Sequence, residues 1–394
     1  MSLTVGTDAL TREDVVPLVR DILLPEILRD AHRYAPGIEQ SRPTLVPGRR
    51  RVRTLRERAR DIAERLADRA GFARRHFDAG ESAARLARIF ALSEGLQASY
   101  DSLADDVSRR AMVDMLKLRV LGPYHAPLAI TPEAYRAKQA WAERELCQRR
   151  GTFDVSDPWF SPLSLYRVAV GDEWVSLHSH SVDIVSVYLL DQYSYVAGPN
   201  RVAVEPGNVV LDIGGCWGDT ALYFASLVGP AGKVYSFEFD PENLNVMRAN
   251  LALNPELAGR IEVVEKALWD RSGETLRFAQ FGRMTSVMVG EDSPSQLETE
   301  TITLDDFVAE RGIDRLGFVK MDVEGAELNV LRGAHDSLKR FAPRLAIAAY
   351  HKDDDLVRLP EAVKSLGDYR FFLDTFSPVE EETVLFADAV RSLT

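Results

Sequence analysis

At 394 residues, 46% hydrophobic and 27% charged, with a formal net charge of −12, the chain has the profile of a folded globular protein longer than one typical domain, which excludes disordered and fibrous classes. No segment offers about 18 uninterrupted apolar residues, and the first ten lack the basic and apolar regions of a leader, so a cytoplasmic location without a membrane partner is expected. Cys147 and Cys216 are the only cysteines and have no His or Cys at ligand spacing, so neither a disulfide framework nor a zinc site is expected.

Residues 1–150 carry 27 Lys+Arg, 25 of them arginine, against 21 Asp+Glu. Because the acids are interleaved, this reads as a solvated helical surface laced with i,i+4 pairs rather than a nucleic-acid face. Apolar Val15, Val16, Val19, Ile22 and Leu23 open a helical pattern over 11–70, interrupted by a Pro/Gly-rich break at 36–48 and resumed with Leu55, Ala59, Ile62, Ala63 and Leu66 on one face. Further helices are expected at 82–96 and 101–121, the last stopped by Gly122-Pro123, and at 131–150, where Thr131 is the N-cap and Pro132 the first helical residue. This portion is expected to be a helical cap or accessory domain. Residues 151–204 change to short aromatic and β-branched stretches, a β-rich connecting segment. His178, His180 and Asp183 lie in it, and on a strand the two histidines would share a face, but no further ligand is identifiable and metal binding is not expected.

From 205 to 394 apolar strands alternate with amphipathic helices, which predicts a parallel sheet covered on both faces. Strands are read at 209–213, 233–238, 261–265, 317–322 and 344–350, with a final pair at 369–376 and 383–388. The short Ser377-Pro378-Val379-Glu380 link makes that pair antiparallel at one edge. The run from Val209 to Thr220 reads Val-Val-Leu-Asp-Ile-Gly-Gly-Cys-Trp-Gly-Asp-Thr: a strand ending near Asp212, a turn at Gly214, Gly215 and Gly218, and a helix start. Glycines there let the backbone reverse with positive φ and approach a ligand closely. Glu238 ends the next strand, where an acid accepts hydrogen bonds from ribose hydroxyls.

A dinucleotide site wants Gly-x-Gly-x-x-Gly over a pyrophosphate. This chain has Asp-x-Gly-Gly-x-x-Gly, with an acid that suits an ammonium or sulfonium, and so resembles motif I of S-adenosylmethionine-dependent methyltransferases. A second stretch, Phe318-Val-Lys-Met-Asp-Val-Glu-Gly-Ala-Glu, is similar to the Asp-Val-Glu-Gly-Ala-Glu signature of FkbM-type methyltransferases. Thr301-Ile-Thr-Leu-Asp-Asp matches that family's Thr-Leu-Asp element, and Phe239-Asp-Pro-Glu-Asn its Glu-Pro-x-x-x-Asn element, over about 205–390. Leu103-Ala-Asp-Asp-Val-Ser-Arg resembles, more weakly, a helical segment ahead of the domain in larger members. Cys216 stands where the family commonly has Asn, and Lys266 where methyltransferases frequently have an acid, so adenine recognition at 266–268 is expected from main chain.

The resemblance implies a class I methyltransferase sheet of Rossmann type, α/β with seven strands, following an N-terminal helical domain. It implies S-adenosylmethionine as cofactor, held by Asp212, Gly214, Gly215, Cys216, Gly218, Thr220, Glu238, Asn243, Lys266, Ala267, Leu268 and Asp322. The acceptor it implies is a hydroxyl on a small molecule: a sugar, glycan residue or polyketide-type secondary metabolite. In-line displacement at the methyl needs the acceptor held in position and its proton removed. Asp322 and His351 end adjacent strands. An imidazole of ordinary pKa near 6.5 suits the base, so His351 is expected to take the proton while Asp322, with Glu324 beside it, positions the hydroxyl. Asp322, Glu324 and Glu327 are also a hard-cation ligand set; a helix N-terminus favours acids by itself, and a divalent metal is the less favoured alternative. An NAD-linked oxidoreductase and a non-catalytic cofactor-binding module are the rival readings, and homodimerisation is left open.

Overall fold

The computed structural model describes residues 16–34, 79–122, 126, 128–156, 160–279, 286–287 and 297–390. The helical pattern expected over 55–66 lies outside these residues. A π-type turn at Leu18–Leu23 runs into α1 (Leu24–Tyr34), followed by α2 (Ala79–Ala91), α3 (Ser93–Ser102) and α4 (Asp106–Leu121). The helix expected over 82–96 is therefore two, divided at Leu92, and α4 begins where the Asp105 carboxylate accepts the Ser108 N–H. Helix α5 (Pro132–Glu145) starts as predicted, with the Thr131 hydroxyl accepting the Ala134 N–H. It stops five residues short of the expected end.

The residues that follow, Cys147–Phe153, are strand β1, antiparallel to β2 (Leu163–Val170), which pairs in turn with β3 (Glu173–Ser179). A helical stretch α6 (Ser181–Asp183, continuing as a π-type turn at Ile184–Leu189) leads to the hairpin β4 (Tyr195–Ala197) and β5 (Asn200–Val202).

The C-terminal half forms the expected sheet. Its members are β6 (Val209–Ile213), β7 (Lys233–Phe237) and β8 (Ile261–Val264), then, beyond a small sheet of β9 (Ala267–Leu268), β10 (Thr275–Ala279), β11 (Ser286–Val287) and β12 (Leu297–Ile302), the strands β13 (Phe318–Met321), β14 (Arg344–Ala348), β15 (Tyr369–Thr375) and β16 (Thr383–Ala389). The order is β15-β16-β14-β13-β6-β7-β8. Five strands are parallel, and β16 runs antiparallel to both neighbours. This is the class I methyltransferase sheet, with its order reversing between β6 and β13.

Period-two alternation sorts the packing into two layers. Leu211, Ile213, Val319, Met321, Leu345, Ile347, Phe371 and Leu385 point to one face, where they form a single apolar cluster with Leu18, Met112, Met115 and Leu116 of the N-terminal helices. Val210, Phe318, Ala346, Phe372 and Phe386 point to the other face, with Tyr193, Tyr195 and the α7 (Asp219–Val228) residues Leu222 and Phe224. The helices of 79–121 thus pack on the sheet itself. Among the described residues no helix is long and apolar enough to cross a membrane.

Candidate functional site

An open cleft lies at the carboxyl ends of β6, β7 and β13, beside the point where strand order reverses. Three groups of expected residues line it: Gly214 and Cys216 after β6, Glu238 and Asn243 after β7, and Lys266, Ala267 and Leu268 after β8. Asp322 and Glu324, after β13, line its other side with Val323 and Ala326.

The glycine turn is built by close approach. Gly214 has φ +85°, and a Cβ there would stand 1.9 Å from the Asp322 carbonyl oxygen. The reason for glycine is therefore the backbone of β13's exit, and not only the ligand's space. A Cβ on Gly215 would meet the Ser236 hydroxyl at 2.1 Å, and Gly218 (φ +79°) sits at the start of α7. Cys216 has φ +44°, a left-handed conformation that Asn tolerates better than Cys.

Asp212, Gly215, Gly218 and Thr220, expected among the cofactor contacts, shape the turn from beneath and do not line the cleft. Asp212 is fully buried. Its carboxylate accepts the Thr220 hydroxyl at 2.9 Å and the Ser236 hydroxyl at 2.8 Å and pairs with Lys320 Nζ at 3.3 Å. The cation it serves is this lysine, directly opposite in the β6–β13 register. Lys320 Nζ also donates to the carbonyls of Ile213 and Gly214, and it lies 5.4 Å from the Tyr193 ring centre. Burial disfavours this ammonium, but Asp212 and the neighbouring carboxylates hold its pKa above the ordinary lysine value. A lysine inside the apolar run Phe318–Met321 was the available signal: in a buried parallel strand it needs a carboxylate alongside.

Glu238 is 8% exposed. Its Oε1 accepts the N–H groups of Phe239 at 2.6 Å and Asp240 at 2.8 Å, and Oε2 accepts Asn243 Nδ2 at 3.2 Å. Burial outweighs these bonds and pushes its pKa up to about 7, helped by the Asp240 charge. The Lys266 side chain pairs with Glu300 at 3.4 Å, while Ala267 and Leu268 are tied as β9 to β12.

The family-model comparison matches residues 205–374 to the Methyltransferase FkbM domain. The chain is 30% identical over 221 residues to the 31-O-demethyl-FK506 methyltransferase FkbM of Streptomyces tacrolimicus, a match spanning 47% of this chain and 79% of that protein. The chain belongs to the FkbM methyltransferase family. The chain is also similar to the 2-O-methyltransferase NoeI of Sinorhizobium fredii, 31% identical over 34% of this chain and 61% of that one. Among solved structures, the FkbM methyltransferase of Methylobacillus flagellatus superposes with a TM-score of 0.47 at 20% identity, over 76% of this chain and 60% of that chain.

On the β13 side of the FkbM domain, side chains from distant segments converge. Asp322 Oδ2 accepts the Tyr193 hydroxyl at 2.9 Å and Oδ1 the Tyr350 hydroxyl at 3.3 Å. Both tyrosines are held protonated, far above their ordinary pKa, by burial and the Asp322 charge. The next residues fold tightly: Glu324 has φ +53° and Gly325 φ +92°, and the Glu327 carboxylate accepts the N–H groups of Val323 at 3.0 Å and Gly325 at 3.4 Å. A non-glycine residue held left-handed costs about 1–3 kcal/mol, and such strain gathers at functional loops. Glu327 opens helix α11 (Glu327–Arg332, numbered after α8 Pro241–Ala252, α9 Pro255–Ala258 and α10 Leu304–Arg311).

His351 sits behind this loop, and its side chain is 8% exposed. Its Nε2 faces Asp322 Oδ1 at 3.5 Å and Glu324 Oε2 at 3.7 Å; its Nδ1 lies 2.9 Å from Glu327 Oε1. Burial alone would push the imidazole pKa down, but the Glu327 contact and the charges of Glu327, Asp322 and Glu324 outweigh it and raise it to about 10. An imidazole protonated at neutral pH accepts no further proton. The expectation that His351 is a base of ordinary pKa is corrected on that ground.

The other histidines highlighted by the sequence take local partners. His178 Nδ1 is 2.8 Å from the Thr152 hydroxyl, and β3 ends at Ser179, so His180 leaves the strand and accepts the Val182 N–H at 3.3 Å. Tyr193 and Tyr350 are the site residues that sequence reasoning missed.

Proposed function

We propose that the chain transfers a methyl group from S-adenosylmethionine to a hydroxyl of a small molecule. The observation carrying this reading is that Glu238 and Asp322, ending strands on opposite sides of the Gly214 turn, line one cleft. Glu238 would take the ribose hydroxyls and the 266–268 loop the adenine, leaving the methyl directed toward Asp322. The acceptor oxygen attacks the methyl carbon; the carbon–oxygen bond forms as the carbon–sulfur bond breaks, its electron pair returning to sulfur. The hydroxyl proton passes to the Glu324 carboxylate, with Asp322 orienting the hydroxyl. Holding the two reactants in line is worth up to about 7–11 kcal/mol of the barrier.

The O-methylation named for FkbM and NoeI supports a hydroxyl acceptor, and sugars, glycans and polyketide-type metabolites are the first to try. The test is to compare thermal stabilisation by S-adenosylhomocysteine with that by NAD, then to follow labelled methyl from S-adenosylmethionine into a panel of such acceptors. Stabilisation by the homocysteine product and one labelled ether per product released are expected. Stabilisation by NAD alone would reject the reading in favour of an oxidoreductase.

A further inference from the structure

We infer that His351, Asp322 and Glu327 hold a hard divalent cation of the Mg²⁺/Mn²⁺ class against the acceptor side of the cleft. One potential ligand atom from each lies within 4.8 Å of the other two. In an octahedral site with bonds of about 2.1 Å, ligand atoms stand roughly 3.0 Å apart when adjacent and about 4.2 Å when opposite. Small side-chain adjustments bring this set to one ion. His351 Nε2 and Asp322 Oδ1, at 3.5 Å, are already spaced for it.

A second observation is independent of the acidic cluster. His351 Nε2 is buried and has no hydrogen-bond partner, although it points at two carboxylates that stand just beyond bonding distance. A buried polar atom without a partner is costly and rare. An ion between Nε2 and Asp322, entering as the imidazolium proton leaves, satisfies it.

The supporting shell is also built. Metal-bound carboxylates are themselves hydrogen-bonded in settled sites, and metal-bound imidazoles are oriented through their second nitrogen. Asp322 is held by Tyr193 and Tyr350, and the Glu327 carboxylate by the backbone N–H groups of Val323 and Gly325. Glu324, turned inward by its left-handed backbone, adds a carboxylate from the cleft side. One imidazole among carboxylates, with no thiolate, suits Mn²⁺ or Mg²⁺ better than a thiophilic ion.

The role of the ion rests on the methyl-transfer reading; its binding does not. With positions open toward the cleft, it would take the acceptor oxygen, orient it, and lower the pKa of its proton before that proton leaves to Glu324 or water.

The experiment is a Mn²⁺ titration of the chelator-stripped full chain, without cofactor or acceptor, read by electron paramagnetic resonance. One Mn²⁺ per chain, displaced by Mg²⁺, is expected. His351→Gln and Asp322→Asn should each weaken binding at least tenfold, and His178→Gln should leave it unchanged, all with wild-type circular dichroism. Tyr193→Phe, which removes a bond to a ligand and no ligand, should weaken it by a smaller factor. Absence of a stoichiometric site, or Mn²⁺ bound equally by His351→Gln and Asp322→Asn, overturns the inference. Undiminished methyl transfer after chelation, with binding intact, overturns the role given to the ion while leaving the cofactor reading standing.

Discussion

The wall of the cleft built on β6 and β7 is mostly glycine and apolar residues, whereas the side built on β13 and β14 is mostly ionisable side chains. On the first, Ile213, Gly214, Phe237, Phe239 and Leu268 line the cleft, with Glu238 and Lys266 as the charged groups. On the second, Asp322 and Glu324 line the cleft and Glu327 and His351 crowd within ion-pair range behind them, with Tyr193 and Tyr350 bonded to Asp322. A wall without coupled charges tolerates exchange of single side chains. A wall of coupled charges does not, since each change alters the partners of the rest.

Breaking the second wall should have the largest effect. Asp322→Asn is expected to lower single-turnover methyl transfer by about 10²–10⁴-fold, while S-adenosylhomocysteine affinity, measured by calorimetry, changes by less than about tenfold, or 1.4 kcal/mol. Equal losses in both would erase the distinction between the walls.

Next is the turn that joins them. Gly214→Ala forces a left-handed alanine against the Asp322 carbonyl and should destabilise the fold by about 2–4 kcal/mol in a denaturant titration. Wild-type stability would show that the turn can part from β13 freely.

Glu238→Ala should weaken S-adenosylhomocysteine binding by about 1.5–3 kcal/mol, roughly 10- to 150-fold. The pH dependence sharpens this. Glu238 has a pKa of about 7 without ligand, raised by burial, and ribose hydroxyls donate to the ionised form. Binding should therefore release a proton. Affinity should be full above pH 7 and fall by up to about tenfold per pH unit below it, a slope that Glu238→Gln removes. A flat profile in the unmodified protein would show that Glu238 is not the ribose acceptor.

The smallest effect is expected from Tyr193→Phe. Losing one of two hydroxyl bonds to Asp322 should cost about 1 kcal/mol in the chemical step, near fivefold in kcat, with cofactor affinity unchanged. A loss of cofactor affinity instead would assign Tyr193 to the first wall.

The first wall was the more legible in the sequence because its geometry is local. A strand, glycines and a second strand ending in an acid fit within one βαβ unit, and the apolar runs located all seven strands of the sheet. The second wall depends on contacts that no periodicity encodes: Tyr193 and Asp322 are 129 residues apart, in segments of different texture. Asp212 was misread for the same reason, since its lysine lies 108 positions away on β13 and enters through strand register. Strand β1 was read as the end of a helix because Cys147-Gln-Arg-Arg has helix-forming residues and an exposed pattern with no apolar alternation. Pairing with β2 overrides that local preference.

The packing of the N-terminal helices has a consequence for how the family domain can be borrowed or shortened. Strand β15 is the last of the sheet, and an uncovered last strand invites pairing with other chains. In this molecule Ala104 donates its N–H to the Phe371 carbonyl, and Leu116 joins the apolar cluster beneath Phe371. Tyr195 stacks on Phe372 from the opposite face and carries its hydroxyl around the edge to Asp105 at 2.8 Å. The region before residue 205 thus works as a clasp around the rim of the catalytic sheet. A version that keeps the whole sheet but lacks the residues before 205 would present that rim bare, and its first symptom in the cell would be self-association rather than a slower reaction.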